Sequence, residues 1–173
     1  MEIWDGYYED ETLAGVDLIR GQAIPKGLFH IVSEIVVCHE DGDYLLMQRD
    51  FKKETYPGMY EASAGGSVLK GETPLEGAFR ELEEETGIHT DALTQIYRKI
   101  NQKRDAIHYG YLCCIRGDKN QIRLQKGETI SYQWLSKKEF LEFTASDKFV
   151  PKVRERLFEY LEKIRNEQEE WRI

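Results

Sequence analysis

The sequence predicts an α/β fold in which a mixed β-sheet is covered by helices on both faces. Three observations lead there. Residues 29–38 (FHIVSEIVVC) form a β-branched run with the composition of a buried strand. A helix signal stands mid-chain, opened by Thr73-Pro74-Leu75-Glu76 and closed by Gly87. Near the end, Val153, Leu157, Tyr160, Leu161 and Ile164 recur at i, i+4, i+7, i+8 and i+11, an amphipathic stripe that reads as core packing. Strands and helices that interleave in this way suit a sheet between two helical layers.

Taken in order, residues 2–8 and 12–19 read as a short hairpin around the acidic turn Glu9-Asp10-Glu11. The strand at 29–38 turns at Asp41-Gly42, a hairpin signal, into a second strand at 43–50. A basic loop and the turn Tyr56-Pro57-Gly58 follow, then a short strand and loop over 60–67. In the central helix Thr73 is the N-cap, Pro74 suits the first helical position and Glu76 closes a capping box. Two strand-like stretches, 92–100 and 106–116, precede the turn Gly117-Asp118-Lys119-Asn120. A strand at 129–135, a short helix at 137–143 after Ser136 and a long helix over 150–168 complete the chain.

The 173 residues suffice for one domain with a real core, and no linker or repeat divides residues 1–173. The formal net charge is −8, and residues 72–85 alone hold six acids and one base, a net −5. The acidity is therefore local, and nucleic acid is not an expected partner. Cys38, Cys113 and Cys114 have neither a disulfide nor a zinc spacing and read as ordinary buried thiols of a reducing cytoplasm. No signal peptide is visible, and no apolar run approaches the ~20 residues that cross a bilayer, so a soluble cytoplasmic protein without a membrane partner is expected.

The central helix carries the chemistry. At about 100° per residue, Leu75, Ala78, Phe79 and Leu82 share one face, built to bury, and Glu81, Glu84 and Glu85 gather on another. Like charges at this spacing repel by about 0.2–0.5 kcal/mol per pair, and glutamates at a helix C-terminus oppose its dipole. A divalent cation removes that conflict, and carboxylate oxygens suit Mg²⁺. A solvated acidic helix face is the plain alternative.

Residues 66–88 (GSVLKGETPLEGAFRELEEETGI) place Gly66, Glu72, Arg80, Glu81, Leu82, Glu84, Glu85, Gly87 and Ile88 in the order G-x5-E-x7-R-E-U-x-E-E-x-G-U, with U apolar. This stretch resembles the Nudix box at all nine fixed positions. The resemblance implies an α/β/α sandwich with the box as its loop-helix-loop, and hydrolysis of a diphosphate linkage with Mg²⁺ as cofactor, Mn²⁺ being able to substitute. It implies Glu84 and Glu85 as metal ligands and Glu81 as a ligand or the base that activates water. The Gly65 carbonyl is similar to a backbone ligand in many members. Arg80 would hold the glutamates and Glu72 would brace the loop, though each is equally readable as a structural salt bridge. Glu128, just before the strand at 129–135, is the candidate for an extra carboxylate from outside the box, or a plain surface residue; Asp105 and His108 are weaker candidates.

The flank QRDFKKETYPGMY narrows the likeness. Arg49, Lys53, Pro57, Gly58 and Tyr60, with Phe29-His30 upstream, resemble Nudix proteins of the isopentenyl-diphosphate isomerase type. Arg49 and Lys53 would then approach a diphosphate, or form a solvated basic loop; Tyr56 would stack on a base or pack, and Tyr60 reads as packing. The reactive cysteine of true isomerases is replaced by Gly65, their metal-binding histidine by Ser67, and one of an upstream histidine pair by Ala23. Hydrolysis of a nucleoside diphosphate derivative or similar small molecule is therefore expected ahead of isomerase chemistry or of a non-catalytic nucleotide sensor. The hairpin at 2–19 is able to extend the sheet or to exchange between subunits as a homodimer, and the sequence leaves both open.

Overall fold

The computed structural model describes residues 1–169. A two-stranded antiparallel hairpin, β1 (Ile3–Tyr7) and β2 (Leu13–Ile19), stands beside a seven-stranded sheet. That sheet contains β3 (His30–His39), β4 (Tyr44–Arg49), β5 (Tyr60–Ala62), β6 (Ala64–Ser67), β7 (Thr94–Asn101), β8 (Ala106–Ile115) and β9 (Thr129–Leu135). Its main path runs β5-β4-β3-β8-β7, with β6 added to β3 and β9 to β4. The β3–β8 pair is parallel over its whole length, His30 opposite Ala106 through His39 opposite Ile115, and the remaining pairs are antiparallel. The sheet is thus mixed, as expected.

Helices cover both faces. On one, α1 (Pro74–Thr86) buries Ala78 and Leu82 against Ile35, Val37 and Met47. On the other, α2 (Lys137–Thr144) and α3 (Pro151–Glu169) bury Phe140, Phe149 and the whole stripe Val153, Leu157, Tyr160, Leu161 and Ile164 against Val36, Leu46 and Tyr97. Alternate residues of β3 feed the two cores, because successive side chains on a strand point to opposite faces.

Strands β3 and β4 touch only near their turn, at Cys38 and Tyr44. Beyond that they part, and β6 inserts beside β3 (Glu34 opposite Gly65). The buried Ser63 hydroxyl fills the gap, accepting from Val37 N at 2.9 Å and donating to Leu45 O at 3.1 Å. Ser63 has φ 51°, the left-handed region, and it separates β5 from β6, a second strand where a loop was expected after the short strand within 60–67. This kink brings Gly65 and Gly66 under the end of α1.

The buried stripe of α1 differs from the expected one. Leu75 is 40% exposed and Phe79 half-buried, whereas Gly77, Ala78, Leu82 and Glu85 face the sheet. The helix is rotated so that a carboxylate, not a leucine, enters the interior. Cys113 is buried but Cys114 is exposed, so the expectation of buried thiols holds for only one of that pair. No helix among the described residues is long and apolar enough to cross a membrane.

Candidate active site

Both ends of α1 are fixed by its own sequence. Thr73 Oγ1 accepts from Glu76 N at 3.2 Å while Glu76 accepts from Thr73 N at 2.7 Å, a complete capping box. At the other end Gly87 adopts φ 72° and donates to Glu83 O at 2.8 Å, which suits a residue without a Cβ. The last turn carries no basic residue, and the negative end of the helix dipole opposes the carboxylates of Glu84 and Glu85.

Arg80 organises the acids around it. Its guanidinium donates to both oxygens of Glu72 (2.8 and 3.0 Å), to Glu81 Oε1 (2.7 Å), to the Ser67 carbonyl (3.0 Å) and, at 3.4 Å, to Glu84 Oε2. Glu72 also accepts from Leu69 N at 2.9 Å, which ties the loop before α1 to the helix. The charge-assisted bond from Arg80 holds Glu72 below the usual carboxylate range. Burial pushes Glu81 up, against the partial opposition of Arg80.

The glycines make room for these carboxylates. A Cβ at Gly66 would sit 2.3 Å from Glu81 Oε1, and one at Gly65 would sit 2.7 Å from the Ser33 carbonyl. Gly65 N donates to Glu85 Oε2 at 3.0 Å. Glu85 is 7% exposed, and that bond is the one hydrogen bond of its carboxylate among the described residues. Burial first, then the charges of Glu61 and Glu81, push its carboxyl well above the ordinary value. Glu61 is itself raised by burial, with Arg49 acting the other way.

A cleft of about 410 Å³ opens over Gly65, Gly66, Arg80, Glu81, Glu84 and Glu85. Lys53 and Glu128 line its far side, joined as an ion pair. The fold therefore brings Glu128, 43 residues beyond Glu85, into the same cleft as the box acids. Arg49 and Tyr56 lie outside it. Arg49 pairs with Glu61 at 2.7 Å and donates to the Thr55 carbonyl, and both residues line an adjoining cavity that shares Trp4 and Gly65 with the cleft. His108 lines that second cavity too, while Asp105 lines neither.

Sequence reasoning passed over Glu34, Glu61 and Arg156. Arg156 Nε donates to Glu34 Oε2 at 2.6 Å and Tyr97 Oη donates to the same oxygen at 2.6 Å. Burial alone would raise Glu34, but His108 and Arg156 outweigh it and hold the carboxyl at about 2. Partners 122 residues apart leave no local pattern. For Glu61, its place in β5 beside the kink was the available signal.

Among the described residues no three acid, imidazole or thiol groups already converge as a closed cage for a cation, because Arg80 holds Glu81 and Glu84. The chemistry of the donor set nevertheless fits Mg²⁺. All the side-chain donors are carboxylates, Glu85 is buried beside like charges, and Mg²⁺ needs only one or two protein carboxylates while keeping several waters.

Comparison with known proteins shows the family and the fold. The model of the NUDIX domain matches residues 28–157. An uncharacterized Nudix hydrolase of Listeria monocytogenes is 32% identical over 152 residues, 87% of this chain and 89% of its own. The Nudix hydrolase YfcD of Escherichia coli, also uncharacterized, is 32% identical over 145 residues, 83% and 77% of the two chains. A crystal structure from Deinococcus radiodurans superposes with a TM-score of 0.71 at 20% identity, covering 90% of this chain and 99% of that one. With the box helix, its glycine loop and its acids assembled on a shared fold, the chain belongs to the Nudix hydrolase family, a family of pyrophosphohydrolases.

Proposed function

We propose that this protein is a Mg²⁺-dependent pyrophosphohydrolase that cleaves the diphosphate linkage of a nucleoside diphosphate derivative or similar small molecule, with Mn²⁺ able to replace Mg²⁺. One observation carries the reading. Glu85 is buried beside Glu61 and Glu81 with no cationic partner of its own among the described residues, an arrangement that costs stability unless a cation joins it.

Glu84 and Glu85 would hold the cation, with Glu81, Glu128 and the Gly65 carbonyl as further oxygen donors. The ion, when bound, would neutralise phosphate charge and lower the pKa of a bound water. Glu81 is the candidate base. Its Oε1 is engaged by Arg80, and the raised pKa suits a group that must take a proton. Arg80 positions Glu81 and Glu84 and fixes the loop through Glu72 and Ser67. Lys53 would meet the diphosphate in the cleft, and Arg49 and Tyr56 would meet what lies beyond it. Gly66 and Gly87 serve by giving space and by ending the helix.

Within the family we place the chain in the group resembling isopentenyl-diphosphate isomerase, on the run Arg49, Lys53, Pro57, Gly58 and Tyr60. Isomerase chemistry itself is disfavoured. Residue 65 has no thiol, and the Ser33 carbonyl leaves no room there for a Cβ. A nucleotide sensor is disfavoured by the complete set Glu81, Glu84 and Glu85.

Phosphate release from a panel of nucleoside diphosphate compounds, with and without Mg²⁺, tests the proposal alongside Glu84→Gln. The substitution is expected to cut turnover at least about a hundredfold. Wild-type turnover in the variant would reject the assignment.

A further inference from the structure

The cavity that adjoins the glutamate cleft has a volume of about 440 Å³ and leads into a wider outer cavity of about 640 Å³. The two share Asn101, Arg104, His108, Lys152 and Arg156. The outer wall is strongly basic. Lys99, Lys103, Arg104, Lys152 and Arg156 line it against one acid, Glu155, on a chain whose net charge is −8. Some of that charge is already matched, since Arg156 is bound to Glu34 and Lys99 to Glu159. Arg104 and Lys152 form no ion pair among the described residues, and both line the inner cavity as well.

Two further features point the same way. Lys152 is the second residue of α3, a 19-residue helix with no acid in its first turn, and Val150 and Val153 beside it line the inner cavity. The positive end of the helix dipole therefore opens on this space. The start of the helix is fixed in place, because Val150 N donates to Tyr60 O at 2.9 Å and Tyr60 N to Lys148 O at 2.9 Å. His108 is the second feature. It is 8% exposed and lines both cavities, yet its Nδ1 has no hydrogen-bond partner among the described residues. Glu34 Oε2 lies 3.2 Å away, but out of line for a hydrogen bond and already engaged by Tyr97 and Arg156. Its contact with Glu34 is electrostatic and leaves the ring without a directed hydrogen bond at Nδ1.

We infer that Arg104, Lys152 and the N-terminus of α3, with His108 beneath them, form a binding site for a second phosphate group carried by the substrate beyond the diphosphate that is cleaved. This rests on the proposed hydrolysis for the word substrate, but not for the site. The inner cavity shares Trp4 and Gly65 with the glutamate cleft, so a diphosphate over the box places the rest of the molecule along this basic wall. Trp4, 8% exposed and stacked on His30 at 4.3 Å between ring centroids, lines both spaces where they meet. A nucleotide with a phosphate monoester in addition to its diphosphate fits this layout. A neutral hydrocarbon tail would leave Arg104 and Lys152 unmatched.

The site and its use by substrate are tested by separate arms. In the first, inorganic phosphate is titrated into metal-free protein in EDTA, where the glutamate cleft repels anions, and backbone amide shifts are followed by NMR. Saturable shifts at Arg104, His108, Lys152 and Val153 are expected, weakened at least about tenfold in Arg104→Gln/Lys152→Gln and by added salt. No shift at these amides, or equal binding by the double variant, would overturn the site whatever the enzyme hydrolyses. In the second, kcat/KM is compared for NADPH and NADH, and for coenzyme A and dephospho-coenzyme A, pairs that differ by one phosphate monoester. In at least one pair the phosphorylated member is expected to be favoured about tenfold or more, with the preference lost in the double variant. Phosphate binding in the first arm, combined with turnover that ignores the monoester, would overturn its assignment to substrate. Absence of Mg²⁺-dependent turnover throughout the wider nucleoside diphosphate panel would count against the hydrolase reading and leave the result of the phosphate titration standing.

Discussion

Replacing Glu85 by Gln should stabilise the protein in the absence of metal while disabling the proposed chemistry. Glu85 is 7% exposed, and Glu61 and Glu81 raise its carboxyl well above the ordinary value after burial has done so. For a carboxyl raised on folding, the favourable contribution is complete below the unfolded value near 4.5 and is lost as pH climbs through the folded one. At neutral pH the buried group is therefore a liability. Glutamine keeps an oxygen to accept from Gly65 N, the 3.0 Å bond of the wild type, and removes the charge. Relieving an uncompensated buried group is worth about 1–3 kcal/mol, and about 2 kcal/mol in a domain of this size shifts Tm by roughly 4–8 °C. Magnesium should reverse the order. At 10 mM ion and a dissociation constant of about 1 mM, the wild type gains about 1.4 kcal/mol, and the variant gains much less. The assay is thermal unfolding of both proteins in EDTA and in MgCl₂. A lower Tm for Glu85→Gln in EDTA, or the same Mg²⁺ increment in both proteins, would refute the reasoning.

Gly66→Ala would put a Cβ 2.3 Å from Glu81 Oε1, the far end of a flexible side chain; the fold should survive with Tm within a few degrees, while displacement of Glu81 lowers kcat at least about tenfold. Arg80→Lys loses the fork that holds Glu72 by two bonds and the Ser67 carbonyl by a third; it should cost about 1–2 kcal/mol in urea unfolding and lower turnover, since an ammonium does not reproduce that geometry. Glu34→Gln breaks a buried pair with Arg156 and should cost about 3–5 kcal/mol at pH 7. Because Glu34 is depressed to about 2, its stabilisation is full above about 4.5 and disappears as pH falls toward 2, so denaturation curves of wild type and variant should converge across that window.

Much of the frame was legible because its signals are local. The capping box at Thr73, the left-handed Gly87 and the five apolar residues of α3 all lie where their spacing put them. The mixed sheet followed from the order of strands and helices, but the parallel pairing of β3 with β8 joins segments some 76 residues apart and has no sequence signature. The break at Ser63 was hidden, since a serine in the left-handed region is set by its bonds to Val37 and Leu45 and not by local preference. Within the site, Glu81, Glu84 and Glu85 could be grouped by helical spacing, but not ranked by depth. The apolar periodicity suggested that Leu75 faced inward, whereas Glu85 is buried and Leu75 exposed. Tertiary packing against β6 turned the helix, and a period of 3.6 does not report which edge of an apolar stripe the sheet will cover. The Lys53–Glu128 and Glu34–Arg156 pairs are long-range charges, and only the folded chain brings them together.

Manganese binding followed by electron paramagnetic resonance tests the central idea most directly, because it reads the ion and not the reaction. The wild-type protein should take up Mn²⁺ with a dissociation constant in the millimolar range or tighter, and Glu84→Gln/Glu85→Gln should weaken that uptake at least about tenfold. Equal uptake by both proteins, or none by the wild type even with a diphosphate compound present, would contradict it.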